Sequence, residues 1–317
     1  MPRALSSFCA AAVLVLLGCP PSSAPRGGAT AGPGAGGNDS AESAISLDGS
    51  ADDGTAADPL GDAEYRLFAD HVSGLPLASR PDLQTRVRSE PHAYFRLLSV
   101  PFAQSVCRRF AATMATLPAV NLHGDAHFEQ FTVKRKRAEL SDYDDASFGP
   151  AVIDLVRFAA SLRLTCAARG WDCADRAIDE FLASYKRAIT DPAASEPPPT
   201  IARRLRQQIS TTTEQFLDRT TALMQPIPDD RLAAFEDGYR RYVDYLRKQR
   251  SDFSRAFFAR KAFGRHGLGL GSALTRKVLI RIEGPSPAPA DDVIIEFKEL
   301  SDLSPVPCVV ARPGDAL

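Results

Sequence analysis

Between Asn121 and Arg163 the chain reads NLHGDAHFEQFTVKRKRAELSDYDDASFGPAVIDLVRFAASLR, and most of the chemistry it could perform sits there. Two histidines and an aspartate alternate around a glycine, a basic run follows, then an acidic cluster, then an amphipathic helix. On an extended backbone His123, Asp125 and His127 would share one face. Gly124 lets the chain turn or approach a neighbour closely. A strand, a turn over the basic stretch Lys134 to Arg137, and a returning strand would bring Asp142 back beside Asp125. Two carboxylates so placed suit a divalent metal and a phosphate. The same residues also read as a polar turn and a solvated helix entry, since acids before a helix cap it and oppose its dipole.

The helix itself is well signalled. Pro150 opens it, Val152, Leu155, Val156, Ala159 and Leu162 form an apolar stripe, and Gly170 ends it. Asp172 and Asp175 predict the start of a second helix that runs to about Ala188. Prolines at 197–199 break the pattern. Two more helices follow, over roughly Ile201 to Leu223 and Asp230 to Gln249, with arginine-rich faces that read as solvated. Upstream, helices are expected over Ala63 to Val72 and Val106 to Met114. His71 and His92 stand isolated and read as surface or packing residues.

The last segment changes character. Phe263 to Ser272 is glycine-rich and contains Gly267, Gly269 and Gly271. Strands follow over Arg276 to Glu283 and Val293 to Lys298, with Val278, Ile280 and Ile282 alternating. A glycine run alone is a hairpin turn. Followed by a strand pair carrying Lys298, it is also how kinase-like proteins cover a nucleotide's phosphates and pair them with a lysine.

The first sixty residues bear on location. Met1 to Cys19 is short and apolar with Arg3 as its only charge, which is the pattern of a secretory signal. Leu16-Leu17-Gly18-Cys19 resembles a bacterial lipobox, and this implies lipidation of Cys19 and an exported protein held at a membrane. Residues 20–60 are Gly, Ala, Pro and Ser-rich and cannot bury enough surface to offset ordering entropy, so they read as a tether. Cysteine use agrees with export. Cys107, Cys166, Cys173 and Cys308 remain for the folded part, and a Cys166–Cys173 disulfide is expected across the turn between the two helices. No CxxC occurs and no HxxxH lies near Cys166 and Cys173, so a zinc site there is weakly signalled. The net charge of −1 over 317 residues argues against nucleic acid as an obligate partner.

HGDAHFEQ resembles the HGDxHxxN loop of aminoglycoside-phosphotransferase-like kinases. SDYDDASFGPAVIDLVRFAASL is closer to a bacterial kinase-like family, domain of unknown function 2252, with its GDAHxxNFG, NDFDE and GPxxWDxKRLAxS segments. Glu90 to Arg96 resembles that family's SPFAFxRG, and the glycine-rich end resembles its GVGSVGTR and LQVKEA. The resemblance spans about Pro91 to Leu300. It implies that Asp125 is the base for an accepting hydroxyl, that Asp142 holds metal, and that Asp154 braces the loop. Gln130 stands where the family has asparagine as second metal ligand, which adds about 1.5 Å of reach. Gly267, Gly269, Gly271 and Ser272 would hold phosphates, and Lys298 would pair with them.

The expected fold is therefore α+β, helix-rich and protein-kinase-like, with the catalytic-loop half preceding the glycine-loop half. Residues 61–190 would form the catalytic-loop region, 191–262 a helical region, and 263–317 the glycine loop and strands of the nucleotide-side lobe. Only 19 residues follow Lys298, and they include Pro305, Pro307 and Pro313. No helix there can supply the glutamate that a kinase lysine needs. The unit thus reads as incomplete, with a partly exposed apolar sheet and poor nucleotide affinity. The resemblance implies ATP- and Mg²⁺-dependent phosphoryl transfer to a hydroxyl acceptor. A degenerate, membrane-anchored binding protein is the alternative. A metal-dependent phosphoester hydrolase using His123, Asp125, His127 and Asp142 is a third reading.

Overall fold

A computed structural model describes residues 59–134, 137–191, 210–249, 259–267 and 273–309, with the isolated positions 200, 204, 207, 208 and 269. The expected lipidation site Cys19, the tether up to residue 58, and Gly271 and Ser272 lie outside the described residues.

Among the described residues five α-helices come first: α1 (Pro59–Ser73), α2 (Pro81–Ser89), α3 (Pro91–Arg96), α4 (Ser99–Arg109) and α5 (Ala111–Met114). Pro81 and Pro91 each occupy a first helical position, where proline's missing N–H costs nothing. The helix expected over Val106 to Met114 is split, because Phe110 leaves helical geometry at φ −108°, ψ 19°. Glu64 ties α1 to α4 by accepting from Ser105 Oγ at 2.5 Å and Arg109 Nη2 at 2.6 Å.

Strand β1 (Ala119–Leu122) follows, then the hairpin β2 (Phe131–Lys134) and β3 (Arg137–Leu140), then β4 (Ser147–Pro150). The pair β1–β4 is antiparallel, with Leu122 opposite Ser147; β2–β3 is antiparallel, with Phe131 opposite Leu140. Helix α6 (Val152–Arg169) ends as its sequence predicts. Gly170 sits at φ 64°, and Trp171 N–H returns to the Cys166 carbonyl at 2.8 Å, closing the orphan carbonyls of the last turn. Helix α7 (Ala174–Thr190) packs against α6, and Phe158, Leu162, Phe181 and Ala177 are all buried between them.

The remaining elements are α8 (Thr213–Ala222), α9 (Asp229–Gln249), and the antiparallel sheet β5 (Arg260–Arg265), β6 (Lys277–Ile282) and β7 (Val293–Lys298), in that order. A capping box fixes the start of α8. Thr212 Oγ1 accepts from Gln215 N–H, and the Gln215 side chain accepts from Thr212 N–H. On one face of the sheet Val278, Ile280 and Ile282 lie opposite Phe297, Ile295 and Val293. Phe235, Tyr239, Val243 and Leu246 of α9 cover that face. The covering helix comes from upstream of the strands, and the sheet stays partly exposed, with β7 half-buried and Phe263 37% exposed. The chain is a helix-rich α+β structure with small antiparallel sheets. Among the described residues no helix is long and apolar enough to cross a membrane.

The cysteine expectation is also corrected. Cys166 is a free, buried thiol 3.6 Å from the sulfur of Cys173, and the pair is not bonded. A disulfide joins Cys107 of α4 to Cys308, with Cα atoms 5.7 Å apart at a sequence separation of 201, and Cys173 is itself disulfide-bonded, though not to Cys166.

Candidate functional site

The loop from His123 to Gln130 leaves β1 and is not extended. Gly124 has φ 84°, and a Cβ there would come within 2.0 Å of the Asp145 carbonyl oxygen. A 3₁₀ turn (Phe128–Gln130) closes the loop. His123, Asp125 and His127 therefore do not share one strand face, because the glycine turn breaks the two-residue period.

Asp154 holds the loop from behind. It lies in the first turn of α6, and its two oxygens accept from His123 N–H at 2.6 Å and Gly124 N–H at 2.9 Å. Burial pushes its carboxyl upward, and these two backbone donors oppose that shift. His123 is fully buried. Its Nδ1 accepts from Asp125 N–H at 3.3 Å, and its Nε2 donates to the Ser141 carbonyl at 2.7 Å. Both ring nitrogens are thus used to join the loop to the acidic segment. His127 is likewise buried, with Nδ1 accepting from Glu129 N–H at 3.2 Å and Nε2 lying 3.5 Å from Asp125 Oδ2. Burial lowers its basicity, against the attraction of Asp125.

Asp125 is 8% exposed, and Arg157 is fully buried. Arg157 Nε donates to Asp125 Oδ1 at 2.7 Å, and its Nη2 donates to the Phe95 carbonyl at 3.3 Å. The guanidinium lies 4.3 Å from the centre of the Phe95 ring. Burial pushes the Asp125 carboxyl up, but the Arg157 charge and His127 outweigh it and hold the group well below the carboxylate range. Arg157 was not singled out from the sequence. Its signal is its position, four residues from both Ile153 and Ser161 on the buried side of α6, where a charge needs a partner.

The acidic segment meets the C-terminal sheet. Lys298 of β7 donates to Asp142 Oδ1 at 2.6 Å and lies 2.9 Å from Asp144 Oδ2. Gln130, itself buried, places its amide nitrogen 3.4 Å from Asp142 Oδ2. Asp142 has φ 65°, the left-handed conformation that aspartate tolerates better than most residues. Lys277 lies directly opposite Lys298 in the β6–β7 ladder, on the face away from α9, and is buried. Burial lowers its basicity. Lys298 moves the other way: burial disfavours its charge, but Asp142 and Asp144 raise its affinity for the proton. Burial also pushes Asp142 up, and Lys298 more than reverses it. Asp144 is pushed up to about 7 by burial and by its neighbours Asp145 and Asp142, in spite of Lys298. One ammonium is thus shared among more carboxylate charge than it neutralises. Asp142 and Asp144 present hard oxygen donors, both turned to Lys298, while Gln130 faces Asp142 through its amide nitrogen.

A raised carboxyl in the folded state gives stability that is present below the unfolded value near 3.8 and lost as pH rises through about 7. Asp144→Asn should therefore be less stable than the parent relative to its own value at pH 8 when both are unfolded in urea at pH 5. Equal pH dependence in the two chains would refute this.

Of the residues expected at the site, Asp142 contacts Lys298 and Gln130, and Asp154 holds the backbone just before Asp125. Gly267 and Gly269 lie near the end of β5, and Gly269 needs its φ of 85°. His92 is not isolated. Its ring centre is 6.0 Å from that of His127, and with Glu129 these two form a cluster whose ligand atoms lie within 4.8 Å. That cluster suits a metal poorly. His127 Nδ1 already accepts a backbone N–H, so Nε2 carries the proton, and Glu129 is paired with Arg96 at 2.7 Å.

Residues 83–215 match the bacterial family described as "Uncharacterized protein conserved in bacteria (DUF2252)". That segment belongs to the DUF2252 family. The DUF2252 match contains Asp125, Gln130, Asp142, Asp144, Asp154 and Arg157, while the glycine-rich turn and Lys298 lie beyond it. No curated protein and no solved structure matches the chain.

Proposed function

We propose that this chain is a kinase-like phosphotransferase that moves the terminal phosphoryl group of ATP, with Mg²⁺, onto a hydroxyl acceptor. The observation that carries the reading is the Lys298 contact with Asp142 and Asp144. It joins the glycine-rich, C-terminal half to the acidic loop of the other half, as a nucleotide site requires. In this reading Asp142 and Asp144 hold the cation, with Gln130 beside them. The cation would neutralise charge on the phosphates. Lys298 would leave the two aspartates to pair with a phosphate, below a cover made by Gly267, Gly269 and Gly271. Phosphoryl transfer is mostly positioning and electrostatics, so these residues need no covalent role.

A second reading, a binding protein without turnover, is favoured by Asp125. Both of its oxygens face buried partners, Arg157 and His127, so it is poorly placed to accept a proton from an acceptor hydroxyl. The hydrolase reading is weakened by the engaged ring nitrogens of His123.

Thermal unfolding with ATP, with and without Mg²⁺, separates these readings. The phosphotransferase reading expects Mg²⁺-dependent stabilisation of several degrees, lost in Lys298→Met and Asp142→Asn, together with ADP release. Gln130→Asn should strengthen the metal response. Stabilisation without ADP release would favour the binding protein. No response to nucleotide in the folded parent would end both nucleotide readings. Hydrolysis of a phosphoester that survives Lys298→Met would favour the hydrolase.

A further inference from the structure

A cavity of about 590 Å³ opens behind the HGD loop, between β1, the β2–β3 hairpin and helices α6 and α7. Leu122, Ala126, Phe131, Leu155, Phe158 and Phe181 make most of its wall. Among the described residues its polar lining is Asn121, Asp154 and Tyr185, and none of them is a lysine, arginine or histidine. The Asp154 oxygens are already turned to the backbone N–H groups of His123 and Gly124. At the rim Leu117, Val120 and Ile189 remain exposed, at 39%, 39% and 52%.

The volume lies well inside the range of roughly 300–1,000 Å³ found for ligand pockets. It is several times the engineered apolar cavity of about 150 Å³ that stays dry and admits benzene. Protein interiors pack like organic crystals and leave few voids larger than a water molecule. A space this large, kept among aliphatic and aromatic side chains, points to an occupant. The lining defines its chemistry. The buried part must be apolar, because nothing in the wall pays back the desolvation of a charge. An anionic head is disfavoured from going in first, since the described lining holds a carboxylate and no cation. The rim, by contrast, offers water to a head group.

We infer that this cavity takes one long acyl chain, inserted tail-first past Leu117, Val120 and Ile189 with its head group left in solvent. The site is separate from the phosphate-side residues and stands whether or not the phosphotransferase reading does. It shares Ala126 and Asp154 with the HGD loop, so an occupant would lie directly behind that loop.

The probe is cis-parinaric acid, whose fluorescence rises in an apolar site, titrated into the purified full chain. Saturable binding of one molecule per chain is expected, with displacement by palmitate and affinity at least tenfold weaker for octanoate. Val120→Trp, at an exposed rim position, should weaken binding at least tenfold without changing the circular dichroism spectrum. The source of the acyl chain is read from Cys19→Ser. Binding by that variant but not by membrane-derived parent would identify the chain's own lipid as occupant; binding by both would identify a free lipid. Absence of saturable binding in the folded Cys19→Ser chain, or affinity independent of chain length, would overturn the inference.

Discussion

Asp125→Ala should cost about 3–5 kcal/mol of stability, because it leaves the Arg157 guanidinium charged and unpaired in the interior. Arg157 is fully buried, and its Nη1 has no hydrogen-bond partner even with Asp125 present. The aromatic rings of Phe95 and Phe102, 4.3 and 5.3 Å from the guanidinium, cannot replace a carboxylate. The sequence alone suggests that Asp125→Ala would remove activity and leave the fold intact. The structure reverses that expectation. Loss of activity in this variant would not identify a base, since the HGD loop would lose its anchor to α6. Urea unfolding of Asp125→Ala, Arg157→Met and the double variant measures the coupling. The double variant should be less destabilised than the two single losses added together, as is usual when both members of a buried pair are removed. Additive losses, or an Asp125→Ala midpoint equal to the parent's, would show that the pair is not the anchor described here. Asp125→Asn is the milder probe, since it keeps the shape of the side chain and one acceptor.

The same pair has a pH signature. The Asp125 carboxyl is held low in the folded state, so its stabilisation is present above the unfolded carboxylate value and lost as pH falls through the folded one. Asp144 contributes in the opposite sense between about 4 and 7. Acid unfolding should therefore be steep in the parent and shallow in the Asp125/Arg157 double variant.

Local signals made the middle of the chain legible. Pro150, the apolar stripe and Gly170 gave α6 its ends, because each acts on its own few residues. The basic stretch between Phe131 and Leu140 read as a hairpin, and it is one. The convergence of Asp125, Asp142, Asp154 and Lys298 was legible only through motif order, since their contacts span up to 156 residues. What the sequence hid were long-range partners of single side chains. Arg157 and Asp125 are 32 residues apart, and no periodicity links them. His92 looked isolated because α3 and the HGD loop are distant in sequence and adjacent in space. The covering of the C-terminal sheet by α9 was hidden for the same reason. The arginines of α9 drew attention to its solvated face, while Phe235, Tyr239, Val243 and Leu246 form the stripe that packs on β6 and β7.

The cysteines show how proximity in sequence misleads. Cys166 and Cys173 flank a short turn, and their sulfurs do come within 3.6 Å, yet they are not bonded to each other. Cys107 faces the core from α4, beside Val106 and Met114. Cys308 arrives there because the segment after Lys298 turns back across the molecule, where Val306 is buried against the same cluster and Gln104 Nε2 donates to the Pro305 carbonyl at 2.9 Å. The disulfide therefore closes the longest loop available to the described cysteines and staples the C-terminal sheet's exit to the helical half. Closing a loop of this length removes chain entropy from the unfolded state worth about 5 kcal/mol in the loop-entropy account, and native disulfides of this kind commonly give about 2–5 kcal/mol. Cys308→Ser should lower stability by about 3–5 kcal/mol. It should also loosen the contact between Lys298 and Asp142, because the tether beyond β7 is released. Urea unfolding of the parent and of Cys308→Ser, both without reductant so that the bond at Cys173 is kept, gives the first quantity. Hydrogen exchange at the β7 amides gives the second, and protection there should fall in the variant before the α6–α7 amides are affected. A variant with the parent's unfolding midpoint, or one whose β7 and α6 amides lose protection together, would show that this bond does not hold the two halves in register.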